Sequence, residues 1–362
     1  MDRRKFLQAL TVLGASTALP SHALNNGNPQ TAVPLTTPAS TKAESALQFP
    51  ESDGEFPRIG IVAVGGAGGA ICNHLAASLP HLSRSIAIDT NSFALHRIKA
   101  DHKIQVGNDK RILTEPSIVR SLVKQVSEEI AGAASGLDLV FILAGVGGAT
   151  GCGISPIVAE TLRKMNILSL GSAITPFDFE GPRRMQIALS GTRLLGCRAT
   201  TLLPISNELL AQAMGENTLL TSVLDQTQLT FEKLYRNITS AISENGLVGI
   251  DFEDVRVILN EGGHAAFGFG SASGINCAEA ATRRAITSPL LNHDQLLSAS
   301  GLLVAVEGSR NSIKLRQLES VINIIKQYAS AKAHLLLSAT YSDLADDFTV
   351  SILATGLPSA QT

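Results

Sequence analysis

The sequence predicts an α/β fold: a parallel sheet with crossover helices, a long central helix, and a smaller α+β unit after it. Three observations lead there. Apolar runs of strand length alternate with helical segments, two glycine-rich turns each follow such a run directly, and a long amphipathic segment precedes three further strand-like runs. Each parallel strand pair needs a crossover connection, so strand and helix must alternate along the chain.

Residues 58–64 form the first apolar run, followed by a glycine turn and a helical stretch from Ala70. The second run, 85–88, ends at Asp89, Thr90 and Asn91. The third, 137–144, leads into the second glycine turn and a helix over 156–164, and a fourth at 167–174 comes at once. Ligands of such sheets sit at the carboxyl ends of the strands, where these turns lie. Phe231, Leu234, Tyr235, Ile238, Ala241 and Ile242 keep a helical period and Asn245-Gly246 is a stop, which predicts the central helix over 231–246. Behind it, a helix near 252–261, strands over 301–306, 334–339 and 348–354 and a helix over 314–328 make the α+β unit.

With 362 residues and 44% hydrophobic content the chain can bury one large core or two moderate ones, and two domains are expected. The 29 basic and 31 acidic residues nearly cancel and form no basic stripe, so no nucleic-acid partner is expected. Cys72, Cys152, Cys197 and Cys277 lack zinc-ligand spacing and are expected as free, mostly buried thiols. The eight histidines are dispersed, so no protein metal site is assigned.

At the N-terminus, Arg3 and Arg4 stand before an apolar stretch ending near Leu19, and Ser21-His22-Ala23 offers small residues for cleavage. Residues 1–23 have the pattern of a twin-arginine signal peptide, which would deliver the chain to the periplasm; a cytoplasmic chain with this segment as its tail is the alternative. The apolar stretch, roughly 14 residues, falls short of the roughly 20 that span a bilayer, so membrane contact is expected only through this signal. Residues 24–55, rich in Pro, Thr, Ser, Asn and Ala without a hydrophobic period, have the composition of a disordered linker.

Two segments carry chemistry. In Gly65, Gly66, Ala67, Gly68 and Gly69 the missing side chains let backbone N–H groups approach a phosphate, and a helix N-terminus behind them adds a favourable dipole. Gly147, Gly148, Ala149, Thr150, Gly151, Cys152 and Gly153 form a second such segment, also between strand and helix. Two of them facing one crevice suggest a ligand with several phosphates, and no P-loop motif is present. The first segment alone also suits a dinucleotide-dependent oxidoreductase, against which the second speaks.

With these segments in place, the sequence resembles the tubulin/FtsZ family, in its bacterial FtsZ branch. Its signature Gly-Gly-Gly-Thr-Gly-Thr-Gly is Gly-Gly-Ala-Thr-Gly-Cys-Gly here, and residues 176–185, 251–256, 272–274 and 288–291 match further. The resemblance covers 58–357. It implies a tubulin/FtsZ-type fold with a nucleotide-binding domain over 56–230, the central helix over 231–246, an α+β C-terminal domain over 247–357 and a tail at 358–362. It also implies GTP or GDP held by both glycine segments, with magnesium accompanying the nucleotide. Glu180 and Arg184 match residues that contact ribose and phosphate, roles that suit a carboxylate and a guanidinium. Asp89, Thr90 and Asn91 fall where the family has Asn-Thr-Asp. Gln228 or Asp225, in the segment aligned with the family's base-recognition region, could pair with a base edge.

Asp251 and Asp254 match the family's catalytic aspartates, which enter the nucleotide pocket of the next subunit and polarise the attacking water. Asp251 is also a candidate cap for the helix from Phe252. The resemblance therefore implies a slow GTPase that associates with itself head to tail into filaments. The alternative is a nucleotide-bound structural or assembly protein that does not hydrolyse GTP and could be exported folded. Because the sequence stops soon after Gly356, the family's tail-binding partners are not expected.

Overall fold

The computed structural model describes residues 56–79, 82–107, 116–242, 247–309, 313–341 and 348–358, with the backbone alone over 116–122. The expected signal peptide at 1–23, the linker at 24–55, the tail after Pro358 and the stop at Asn245-Gly246 lie outside the described residues.

Strands β1 (Ile59–Val64), β2 (Leu82–Asp89), β3 (His102–Gln105), β4 (Leu139–Gly145), β5 (Leu168–Thr175) and β6 (Thr201–Ser206) lie parallel in the order 3-2-1-4-5-6. Strands β7 (His264–Ala272), β8 (Gly301–Gly308), β9 (His334–Tyr341) and β10 (Phe348–Leu357) continue the sheet in the order 7-10-8-9, with β10 antiparallel to both neighbours. The two halves join where β6 pairs with β7 at Leu202 and His264. Every residue of β1 is buried, as expected of a parallel strand covered on both faces.

The helices are α1 (Gly65–Ser78), α2 (Ser92–Arg97), α3 (Pro116–Ala134), α4 (Ala149–Lys164), α5 (Pro182–Gly196), α6 (Asn207–Met214), α7 (Leu220–Ala241), α8 (Phe252–Asn260), α9 (Cys277–Ile286), α10 (His293–Ser298) and α11 (Leu315–Tyr328). Helix α7 presents Phe231, Leu234, Tyr235 and Ile238 to one core that also holds Ile61, Phe141 and Leu203 from the first half and Leu303 and Leu353 from the second. Tyr235 packs on Phe141 with ring centroids 5.4 Å apart, and Asn237 Nδ2 donates to the Ser351 carbonyl at 3.1 Å. Helices α3 and α4 cover the other face of the first half through Val126, Ile130, Val158 and Leu162. Helices α9 and α11 do the same for the second through Ala281, Ala285, Val321 and Ile325.

Several boundaries differ from the expected ones. Helix α1 begins at Gly65 rather than Ala70, and α4 at Ala149 rather than 156, because the glycines that look like a loop in sequence form the first helical turns. Helix α7 starts at Leu220 rather than 231; its polar first half has no complete apolar face to announce it. Strand β7 escapes a propensity reading because His264–Ala272 is rich in Gly and Ala. A Cβ on Gly268 or Gly270 would lie 2.3 or 2.5 Å from the Ala285 or Ala281 carbonyl oxygen, so these glycines let α9 sit against β7. Of the free cysteines, Cys72 and Cys277 are buried, Cys152 is partly so and Cys197 is exposed.

Ile238 is fully buried in the core that both halves share. Ile238→Ala is expected to lower folding stability by about 2–5 kcal/mol. The urea midpoint should fall at unchanged slope.

Candidate functional site

Strands β1 and β4 are neighbours, so α1 and α4 start side by side at their carboxyl ends. The chain turns into α1 at Gly65 (φ 74°) and towards α4 at Gly147 (φ 112°), conformations that glycine takes without a Cβ penalty. A Cβ on Gly68 would lie 2.1 Å from the Leu143 carbonyl oxygen, and one on Gly151 2.0 Å from that of Gly145. These two glycines are therefore packing residues that let each helix begin against a strand. Gly69 is another, since its Cβ would lie 2.4 Å from Ile98 Cδ1. A Cβ on Gly66, Gly148 or Gly153 would meet nothing within 4 Å.

The two helix starts border a cleft of about 360 Å³. Its walls include Gly65, Gly66, Ala67, Gly148, Ala149, Thr150, Gly151, Glu180 and Arg184 from the expected set, together with Phe177, Asn207 and Leu224. The first N–H groups of a helix have no intrahelical acceptor and carry the positive end of its dipole, so this wall suits an anion. Glu180 Oε1 accepts from the Phe177 N–H at 2.9 Å, and its other oxygen is 3.0 Å from the Arg184 guanidinium. The guanidinium is half-exposed and can exchange this carboxylate for a ligand oxygen at little cost.

The other expected residues stand behind or beside the walls. Gly68, Gly69 and Gly147 shape the helix starts, and Gly153 faces solvent on α4. Cys152 Sγ accepts from the Gly147 N–H at 3.2 Å and so braces the turn from behind. Asp89 is buried and accepts from the Asn91 N–H at 2.9 Å, while Asn91 Oδ1 caps α2 through Phe93 and Ala94. Thr90 Oγ1 lies 3.0 Å from Thr150 Oγ1, tying the end of β2 to the cleft wall. Gln228 is half-buried on α7 and Asp225 is exposed, neither on the wall.

Sequence reasoning missed Asn207, Leu224 and Phe177. Asn207 is buried and its Oδ1 accepts from Thr227 Oγ1 at 3.0 Å. A polar residue at the carboxyl end of the 201–206 strand was a usable signal, hidden because that strand itself went unrecognised.

Asp251 and Asp254 are not brought to the cleft of their own chain. Asp251 Oδ1 caps α8 by accepting from the Asp254 N–H at 2.9 Å, and the adjoining Ile250 N–H donates to Ala241 O at 2.9 Å, at the last residue of α7. Leu224, on the cleft wall, lies near the other end of α7, about 26 Å away at about 1.5 Å per residue. Burial, and next the negative charge of Asp251, push the Asp254 carboxyl above its ordinary pKa. Among the described residues, no group of three or more His, Cys, Asp or Glu could hold a metal ion, and no helix is long and apolar enough to cross a membrane.

The two kinds of glycine should respond oppositely to a methyl group. Gly151→Ala is expected to destabilise the fold by about 1–3 kcal/mol through overpacking. Gly66→Ala should be neutral or up to about 1 kcal/mol stabilising, since alanine favours a helix. Chemical denaturation of both variants checks the pair.

Comparison with known proteins agrees with this geometry. Residues 58–215 match the model of the Tubulin/FtsZ family, GTPase domain, and residues 263–358 that of the FtsZ family, C-terminal domain. The cell division protein FtsZ of Azotobacter vinelandii is 35% identical over 304 residues, 83% of this chain and 77% of the relative. That of Pseudomonas aeruginosa is 34% identical over the same shares. Among solved structures, an empty FtsZ dimer from M. jannaschii aligns with a TM-score of 0.74 at 30% identity, covering 84% of this chain and 89% of that one. CetZ2 from Haloferax volcanii, in a GTPgS-bound protofilament, aligns with a TM-score of 0.68 at 19% identity over 82% and 92% of the two chains, a likeness of fold alone. The chain belongs to the tubulin/FtsZ GTPase family.

Proposed function

We propose that the cleft binds GTP and GDP, that subunits associate head to tail into filaments, and that slow hydrolysis is completed when Asp251 and Asp254 of one subunit meet the nucleotide of the next. The observation that carries this reading is the pair of helix starts on one cleft. Two sets of backbone N–H groups and two dipoles favour a polyphosphate over a singly charged ligand. On binding, Arg184 would turn from Glu180 to phosphate and Glu180 would accept from ribose hydroxyls. Mg²⁺ accompanying the nucleotide would be held chiefly by phosphate oxygens and water, which is how that ion usually binds. Among the base-facing groups, Leu224 and Asn207 are better placed than Gln228 or Asp225.

The distance along α7 supports hydrolysis in trans. The two aspartates stand at the end of the subunit remote from its own cleft, so a head-to-tail neighbour can present them where the same chain cannot. There a carboxylate would orient and polarise the attacking water. The M. jannaschii relative, solved as a dimer, supports self-association. The test uses two variants, each expected to be inactive alone. Asp254→Ala keeps the cleft, and Gly148→Val with Arg184→Ala obstructs the cleft but keeps both aspartates. Mixing them should restore phosphate release from GTP; a mixture no more active than its components would exclude completion in trans.

A second reading, a nucleotide-bound assembly protein that does not turn over, is favoured by Arg3 and Arg4 before an apolar stretch, because the twin-arginine route carries folded proteins. In that case a tagged chain should reach the periplasm, and changing Arg3 and Arg4 to Lys should hold it in the cytoplasm. Equal cytoplasmic retention of both removes the support for this reading.

A further inference from the structure

Away from the cleft walls, α2 and the start of β3 carry an unusual surface. Phe93 on α2 is 84% exposed. His96 and Arg97, three and four residues later, share its helical face. Lys99, His102 and Lys103 follow, all exposed. The patch is held in place: Lys103 Nζ donates to the His96 carbonyl at 3.2 Å, Asn73 Nδ2 donates to the Arg97 carbonyl at 3.2 Å, and Asn73 Oδ1 accepts from the Lys99 N–H at 2.6 Å. Asp101 is the acidic residue of this stretch, and its Oδ2 is engaged by the Ser85 N–H and hydroxyl, both at 2.8 Å. Among the described residues no carboxylate pairs with Arg97, Lys99 or Lys103. Among the described residues β3 is the outermost strand, and no other described strand covers this flank.

We propose that this surface docks on an anionic phospholipid bilayer. An aromatic ring beside long basic side chains fits such a surface at two depths: the ring enters the boundary between headgroups and acyl chains, and the basic stems lie along it with their charges on the phosphates. The charge complementarity is local, since the whole chain is close to neutral, with 29 basic and 31 acidic residues. Each net positive charge near an anionic surface is worth about fivefold in partition, so Arg97, Lys99 and Lys103, offset by the one charge of Asp101, give on the order of 30-fold preference over neutral lipid. The cations are too few to track a polynucleotide backbone, whose binding depends on many phosphate contacts.

The experiment floats the full chain with vesicles of equal phosphatidylglycerol and phosphatidylcholine, and with phosphatidylcholine alone. The parent should partition roughly 30-fold more strongly onto the anionic vesicles, and less as salt is raised. Arg97→Gln/Lys99→Gln/Lys103→Gln should lose this preference and Phe93→Ser should weaken binding to the anionic vesicles. Both must keep the parent's circular dichroism and unfolding midpoint, and because every protein carries the same N-terminal segment, differences report on the patch. Equal binding of the parent to both vesicles, or parent-like binding by the triple variant, overturns the proposal. So does a triple variant that alters sedimentation of the chain with itself but not its vesicle binding, which would make the patch an interface between copies.

Discussion

Two backbone contacts that leave no room for a Cβ, Gly68 against the Leu143 carbonyl and Gly151 against the Gly145 carbonyl, set where α1 and α4 begin. Because each helix starts against a strand end, their first N–H groups border one cleft instead of two separate turns. A side chain at either position would push a helix off its strand and take the cleft wall with it. The glycines with open surroundings, Gly66 and Gly148, depend on this arrangement: their bare backbone is useful only where the packing glycines have put it.

Helix α7 extends the same logic over the molecule. Its N-terminal half reaches the cleft through Leu224, its middle fills the core common to both halves of the sheet, and its last residue anchors the segment that leads to Asp251. A rigid rod of this length separates a subunit's cleft from its own aspartates. On the proposed reading, assembly and hydrolysis would then be one event, because a neighbour would bring the two together.

Much of the site was legible from residue type and order. Gly65, Gly66, Ala67, Gly148, Thr150, Glu180 and Arg184 all fall on the cleft wall, since a strand, a glycine turn and a helix start form a local unit that sequence displays directly. Asp89, Asn91, Cys152 and Gln228 looked similar by type, yet their side chains stand off the walls: Asn91 caps a helix and Cys152 braces a turn. Asn207, Phe177 and Leu224 come from three separate segments that meet only after β5, β6 and α7 have packed, and the local signal at Asn207 depends on recognising the strand before it. Strand β7 was illegible for a related reason: Gly268 and Gly270 serve contact with α9, and that requirement overrides strand propensity.

By itself the sequence determined the α/β alternation, the two glycine segments, and the capping aspartate at Asp251, because periodicity, backbone freedom and capping act within a few residues. Only the tertiary structure decided which glycines pack and which face the cleft. It also decided that the sheet runs unbroken through Leu202 and His264, and that Asp251 and Asp254 lie a helix-length from their own cleft. Those outcomes depend on contacts between separate elements, where a carbonyl oxygen 2.0 Å from an imagined Cβ separates a glycine that must pack from one whose surroundings are open.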